Sequence, residues 1–256
     1  MEPLRTLRLA AVNIDGVLLN DSFSPVLYRV VLKYGGSYTR ELEQRLFSQS
    51  RLAAAKVLLE ETGAGVSEQE AIADYFAERE RYLRDHPVHI LDGAEELLHR
   101  LRALGLDVIC YGGLDEDHFR RHLGAWEHLF TAPHYICTDD FRPGIREIVR
   151  DRFGLDHHQV LFIDDVARFA GHARELDVPF VGHPSTFEHG FQRELMRELG
   201  VRHLVGGLAE IDEERLRTLD REAGLGTVGT DLHETGQDVY EQTMDVNVRG
   251  VWNCLR

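Results

Sequence analysis

The chain has 256 residues, enough for one large domain or two smaller ones, and its 43% hydrophobic content can fill a core and excludes compositional disorder. A net charge of −15 excludes a nucleic-acid or anionic-membrane surface, which needs clustered Lys and Arg. It does not exclude a small anionic ligand held by a few local donors.

The first apolar run, residues 7–13 (LRLAAVN), reads as a strand. Residues 21–87 then read as helices: SPVLYRVVLKYGG, TRELEQRLFSQ, RLAAAKVLLEETG and SEQEAIADYFAERERYLRD. The last carries Ile72, Tyr75, Phe76, Arg79 and Leu83 at helical spacing after a Ser67/Glu70 capping box. From residue 88 strands and helices alternate. LDVIC (106–110), HYICT (134–138), VLFI (160–163) and VPFVG (178–182) are the strands. GAEELLHRLRALG, EDHFRRHLG, PGIREIVRDRFG and VARFAGHARELD are the helices between them. Short buried strands alternating with helices predict a parallel, Rossmann-like α/β sheet covered on both faces. Sites in such sheets lie at the carboxyl ends of the strands. The expected organisation is therefore a core of residues 1–20 and 88–220, with residues 21–87 as a helical cap over the site.

Three widely spaced cysteines form neither a zinc pattern nor a disulfide framework, and Cys110 and Cys137 read as small core residues. No segment approaches the ~18 apolar residues of a membrane span, and the N-terminus lacks a signal-peptide core, so a cytoplasmic location is expected.

Four places at predicted strand ends carry chemistry. The first is Asn13-Ile14-Asp15-Gly16-Val17-Leu18, where Gly16 permits a turn that brings residues 13 and 15 to the mouth of the sheet. The second is Cys110-Tyr111-Gly112-Gly113, whose paired glycines leave backbone N–H groups open to an anion. The third is Arg142-Pro143, a guanidinium at a predicted helix start and so well placed for phosphate. The fourth is Asp164-Asp165, adjacent carboxylates that call for a shared cation, with Mg²⁺ the natural choice beside phosphate, or that serve as a helix N-cap. Asp139 and Asp140 read as a solvated loop, and His118 and His122 as a solvated helix face rather than zinc ligands. Tyr28, Arg29, Phe47 and Arg51 in the cap read equally as substrate contacts or as packing.

In order and spacing these four places resemble the haloacid dehalogenase-like (HAD) superfamily of phosphatases and related hydrolases, over residues 7–212. The resemblance implies a Mg²⁺ site at Asn13, Asp15, Asp164 and Asp165, general acid/base work by Asp15, and an anion site at Tyr111, Gly112, Gly113 and Arg142. It implies a small anionic or phosphorylated metabolite as partner and hydrolase activity if the site is active. Two departures stand out. Asn13 occupies the place of the family's aspartate nucleophile, and a neutral carboxamide cannot form the aspartyl intermediate. The second motif's Ser or Thr falls at Tyr111 or Gly112. Asn13 thus marks a non-catalytic relative that keeps an anion site, an engineered trap, or an enzyme in which Asp15 and bound water hydrolyse a substrate directly.

Residues 221–256 read as a linker and an amphipathic helix with Tyr240, Met244, Val248, Val251, Trp252 and Leu255 on one face. Residues 223–256 resemble part of a short-chain dehydrogenase/reductase, with Asn247 in its DVNVRG stretch, but without that family's Tyr-x-x-x-Lys pair or nucleotide loop. Such an apolar face calls for burial on its own domain, a second copy or a protein partner.

Overall fold

The computed structural model describes residues 2–226. Its apolar runs form five parallel strands: β1 (Leu9–Asn13), β2 (Asp107–Gly112), β3 (Tyr135–Cys137), β4 (Val160–Asp164) and β5 (Phe180–Gly182). Their order across the sheet is β3-β2-β1-β4-β5. The central strand β1 pairs with β2 from Leu9 against Asp107 to Asn13 against Tyr111, and with β4 from Leu9 against Val160. Successive strand residues point to opposite faces. Ala10, Val12, Val108, Cys110, Leu161 and Ile163 therefore share one core, while Leu9, Ala11, Ile109, Tyr111, Val160 and Phe162 share the other. Every residue of β1 and β4 is buried, as a sheet covered on both sides requires. This is the α/β, Rossmann-like arrangement that the alternating pattern predicts.

Four helices follow β1: α1 (Ser24–Lys33), α2 (Arg40–Leu46), α3 (Arg51–Thr62) and α4 (Glu68–Asp85). Their starts are written in the sequence. Thr39 and Ser50 cap α2 and α3 by accepting from Leu42 N and Ala53 N, and Ser67 with Glu70 forms the predicted capping box of α4. The remaining helices are α5 (Ala94–Ala103), α6 (Glu116–Leu123), α7 (Ala167–Glu175), α8 (Gln192–Glu198) and α9 (Glu213–Gly226). Leucines and alanines of α5 and α9 fill one face of the sheet, and Phe169 and Ala173 of α7 fill the other with Ile145, Ile148 and Val149.

Two expectations are corrected here. Cys137 is exposed rather than in the core, because β3 is an edge strand and Cys137 is its last residue. Residues 221–226, expected to be linker, instead continue α9, which runs to Gly226. Asp220 explains this: its carboxylate accepts from the backbone N–H groups of Arg5, Thr6 and Leu7 at 2.8–2.9 Å, clasping α9 to the chain's start, and Ala223 is buried one turn later. The short-chain dehydrogenase-like stretch and its apolar face lie outside the described residues beyond 226. Among the described residues no helix is long and apolar enough to cross a membrane.

Candidate active site

The carboxyl ends of β1, β2 and β4 open into a cavity of about 1120 Å³, its mouth included, roofed by α2, α3 and α4. Asn13, Asp15, Gly113, Arg142 and Asp165 line its floor. Five of the eight site residues expected from the sequence are thus brought together. Gly16 makes this geometry possible. Its φ is +84°, and a Cβ there would lie 2.2 Å from Asp165 Oδ2. Only glycine both turns the chain and lets the carboxylate approach.

Asn13 is buried at the end of β1. Its Nδ2 donates to Asp165 Oδ1 at 2.9 Å and to the Asp15 carbonyl at 3.0 Å. The Asp15 carboxylate accepts from His118 Nε2 at 2.9 Å. His118 is 6% exposed, so the solvated helix face expected for it is corrected: the first turn of α6, fixed by its Asp115 cap, turns His118 inward under Asp15. His122 is its ring neighbour, with centroids 4.9 Å apart. The signal was present, because the first turn of a helix that follows a strand faces the strand's carboxyl end.

The acidic pair divides. Asp164 continues the Phe162 face of β4, away from the cavity, with Oδ2 accepting from the Tyr111 hydroxyl at 2.5 Å and Oδ1 from Val166 N at 2.7 Å. Asp165 faces the cavity. Burial, with Asp164 beside it, pushes the Asp165 carboxyl well above the usual range. Tyr111 is corrected as an anion ligand: its side chain lies in the core and its hydroxyl is committed to Asp164, and burial, with Asp164 beside it, pushes that hydroxyl well above the usual phenol range. Gly112 does not line the cavity either. A Cβ there would meet Ile14 Cγ2 at 2.5 Å, and its carbonyl accepts from Thr138 N and Oγ1, so close packing accounts for it.

Arg142 follows a short 3-10 turn (Asp139–Phe141) and sits three residues ahead of the helical segment that starts at Ile145. The helix start predicted at Pro143 is displaced because Gly144, at φ +83°, interrupts the chain. The guanidinium packs on the Gly113 backbone, where a Cβ would lie 1.9 Å from Nη2. Its Nε is buried without a hydrogen-bond partner, and among the described residues Arg142 makes no ion pair.

Arg51 differs. It donates to the Gly113 carbonyl at 2.8 Å, pairs with Asp139 at 3.1 Å, and lies over the Phe76 ring at 5.3 Å. Asp139 is therefore a lining residue that ties α3 to the core, which corrects its reading as a solvated loop. Phe47 and Arg51 reach the cavity. Tyr28 instead stacks on His189, and Arg29 pairs with Glu78 and covers Tyr82. The stripe on α4 also finds its purpose, because Ile72, Tyr75, Phe76 and Arg79 all line the cavity.

Mg²⁺ needs a near-octahedral set of oxygens. Here Asn13 turns its N–H groups to the two oxygens that would hold the ion, Asp165 Oδ1 and the Asp15 carbonyl, and both Asp164 oxygens are engaged elsewhere. Among the described residues no group of three or more His, Cys, Asp or Glu is placed to hold a metal. The residues, as placed, do not fit the ion.

No family model and no curated protein matches the sequence. The fold does match solved structures. A β-phosphoglucomutase from Clostridium difficile aligns at 12% identity and TM-score 0.60, covering 86% of this chain and 99% of that one. A phosphonoacetaldehyde hydrolase-like protein from Oleispira antarctica aligns at 13% identity and TM-score 0.61, over 88% and 97%. A protein named as a haloacid dehalogenase-like hydrolase, from Bacteroides fragilis, aligns at 15% identity and TM-score 0.54, over 80% and 100%. The five-stranded parallel sheet with its surrounding helices is the fold shared with these solved structures, one of which is named as a haloacid dehalogenase-like hydrolase.

Proposed function

We propose that this chain is a HAD-like protein that binds a small phosphate-type anion at Arg142, with weak or absent turnover through residue 13. The observation that carries the reading is the Arg142 guanidinium, unpaired among the described residues, laid against Gly113 on the cavity floor that Asn13 and Asp15 also line. A cation left without a partner at the edge of a low-dielectric cleft attracts an anion, and a planar guanidinium suits phosphate oxygens. Two of the similar structures are named for substrates bearing a phosphoryl or phosphonyl group. Helices α1–α4 act as the cap that closes over this ligand. Asn13 supports the low turnover: its carboxamide is a poor nucleophile, and its N–H groups are committed to Asp15 and Asp165.

A second reading rests on the Asp15–His118 pair. A carboxylate facing the cavity and oriented by a buried imidazole is equipped to take a proton from water, which would give slow hydrolysis without a covalent intermediate.

Titration calorimetry with inorganic phosphate on the chain and on Arg142→Ala tests the first reading, which requires binding that the variant loses. Turnover of a phosphomonoester panel by the chain, Asn13→Asp and Asp15→Asn separates the two. Activity in the unaltered chain that Asp15→Asn removes favours the second.

A further inference from the structure

The cavity extends well beyond the anion. Above the floor its walls are Phe47, Leu58, Ile72 and Phe76, with the small side chains Ala54 and Ala55 making room between them. Most polar side chains on the same wall are already engaged. Gln49 Nε2 donates to the Arg45 carbonyl, Arg79 donates to Ser22 Oγ, and Arg51 holds Gly113 and Asp139. Two hydroxyls are spare. Ser48, held at φ +54°, has a buried Oγ without a partner among the described residues. Tyr75 lines the same cavity, and its hydroxyl has no hydrogen-bond partner among the described residues.

We infer that the ligand of this cleft is an amphipathic anion: a phosphate-type head at Arg142 joined to an aryl or branched alkyl body that fills the pocket under α3 and α4. The inference rests on the anion reading above and extends it to the substrate class. A polyol body is disfavoured because most of its hydroxyls would face phenyl and alkyl walls. Each hydroxyl left without a partner weakens binding by roughly tenfold. An aryl body instead meets the rings of Phe47, Tyr75 and Phe76 and exchanges water for apolar contact. The spare hydroxyls of Ser48 and Tyr75 have room for one polar substituent on that body.

Calorimetric titration of the full chain with phenylphosphonate, inorganic phosphate and glucose 6-phosphate tests this directly. Phenylphosphonate should bind tightest, by about tenfold or more over each of the others. Ala55→Phe, which fills the pocket, should remove that advantage and leave inorganic phosphate binding unchanged. Glucose 6-phosphate binding as tightly as phenylphosphonate would overturn the inference while leaving the anion reading intact. Failure of all three probes, inorganic phosphate included, would overturn the anion reading and this inference with it. An advantage for phenylphosphonate that survives in a folded Ala55→Phe would place the body elsewhere and also overturn the inference. The ranking on the unaltered chain decides the substrate class even if the variant does not fold.

Discussion

Asn13 Nδ2 donates to Asp165 Oδ1 across 2.9 Å, joining the ends of β1 and β4 where they form the cavity floor. The amide nitrogen lies between two oxygens, Asp165 Oδ1 and the Asp15 carbonyl, and donates a hydrogen bond to each. Asn13→Asp removes both donated hydrogen bonds and sets a new carboxylate against Asp165. That variant should lose about 2–4 kcal/mol of stability in metal-free buffer. Added Mg²⁺ should raise its melting temperature and leave that of the unaltered chain unmoved. Thermal unfolding of both proteins with and without millimolar Mg²⁺ checks this. An equal shift in the unaltered chain would mean that the Asn13 amide turns over to receive the ion.

His118 orients Asp15 from below. His118→Phe keeps the volume, deletes the 2.9 Å hydrogen bond, and should cost about 1–3 kcal/mol. His118→Gln, whose amide reaches to a similar place, should recover much of the loss. Urea unfolding measures stability, and phosphate affinity should hold in both variants because Arg142 is a separate contact. A loss of affinity as large as that of Arg142→Ala would show that Asp15 and His118 belong to the anion site.

Gly113→Ala places a methyl group where the Arg142 guanidinium lies. The flexible side chain moves instead of the backbone, so unfolding free energy should stay within about 1 kcal/mol of the original. Phosphate affinity should fall by roughly tenfold or more, through loss of one oriented, charge-assisted contact. Unchanged affinity would separate the anion from the Gly113–Arg142 pair.

Glu43 gives a pH signature away from the cavity floor. It is fully buried on α2, where its carboxylate accepts from the Tyr38 hydroxyl, Phe191 N and Gln192 Nε2. Burial outweighs these donors and raises its pKa above the ordinary 4.5. A raised carboxyl holds its proton more tightly in the folded chain. Its contribution to stability is therefore complete below the unfolded value and is lost as pH rises through the folded one. Glu43→Gln, which mimics the protonated form, should match the original chain near pH 4 and exceed it at pH 8. Melting temperatures across that range test the sign. A variant that is less stable at every pH would mean that the three donors need the full charge.

Much of this architecture was legible from the sequence because its signals are local. The five strands, the capping box at Ser67 and the turn at Gly16 depend on neighbours within a few residues. Period two also held information: Asp164 two places after Phe162, and Tyr111 two places after Ile109, continue faces that point into the core. Adjacent carboxylates at a strand end diverge for that reason. Other contacts depend on distant placement. Arg51 meets Asp139 across 88 residues, and His118 meets Asp15 across 103. Their side chains are common surface types, and only the stacking of α3 and α6 on the sheet makes them floor and wall. Helix α8 lacks a long periodic pattern, and it is held by Gln192, whose Oε1 accepts from Ala167 N while its Nε2 donates to Glu43.

The clasp between Asp220 and the N–H groups of Arg5, Thr6 and Leu7 has a practical consequence. Those residues precede β1, so α9 is anchored where the parallel strands begin, whereas the cavity lies where they end. Gly224 still lies against Thr6, where a Cβ would come within 3.0 Å of the hydroxyl. The last described turn of the protein thus stands a full sheet's length from the cleft. A fluorophore attached at that turn would report from the side of the sheet where the strands begin, away from the residues that line the cavity.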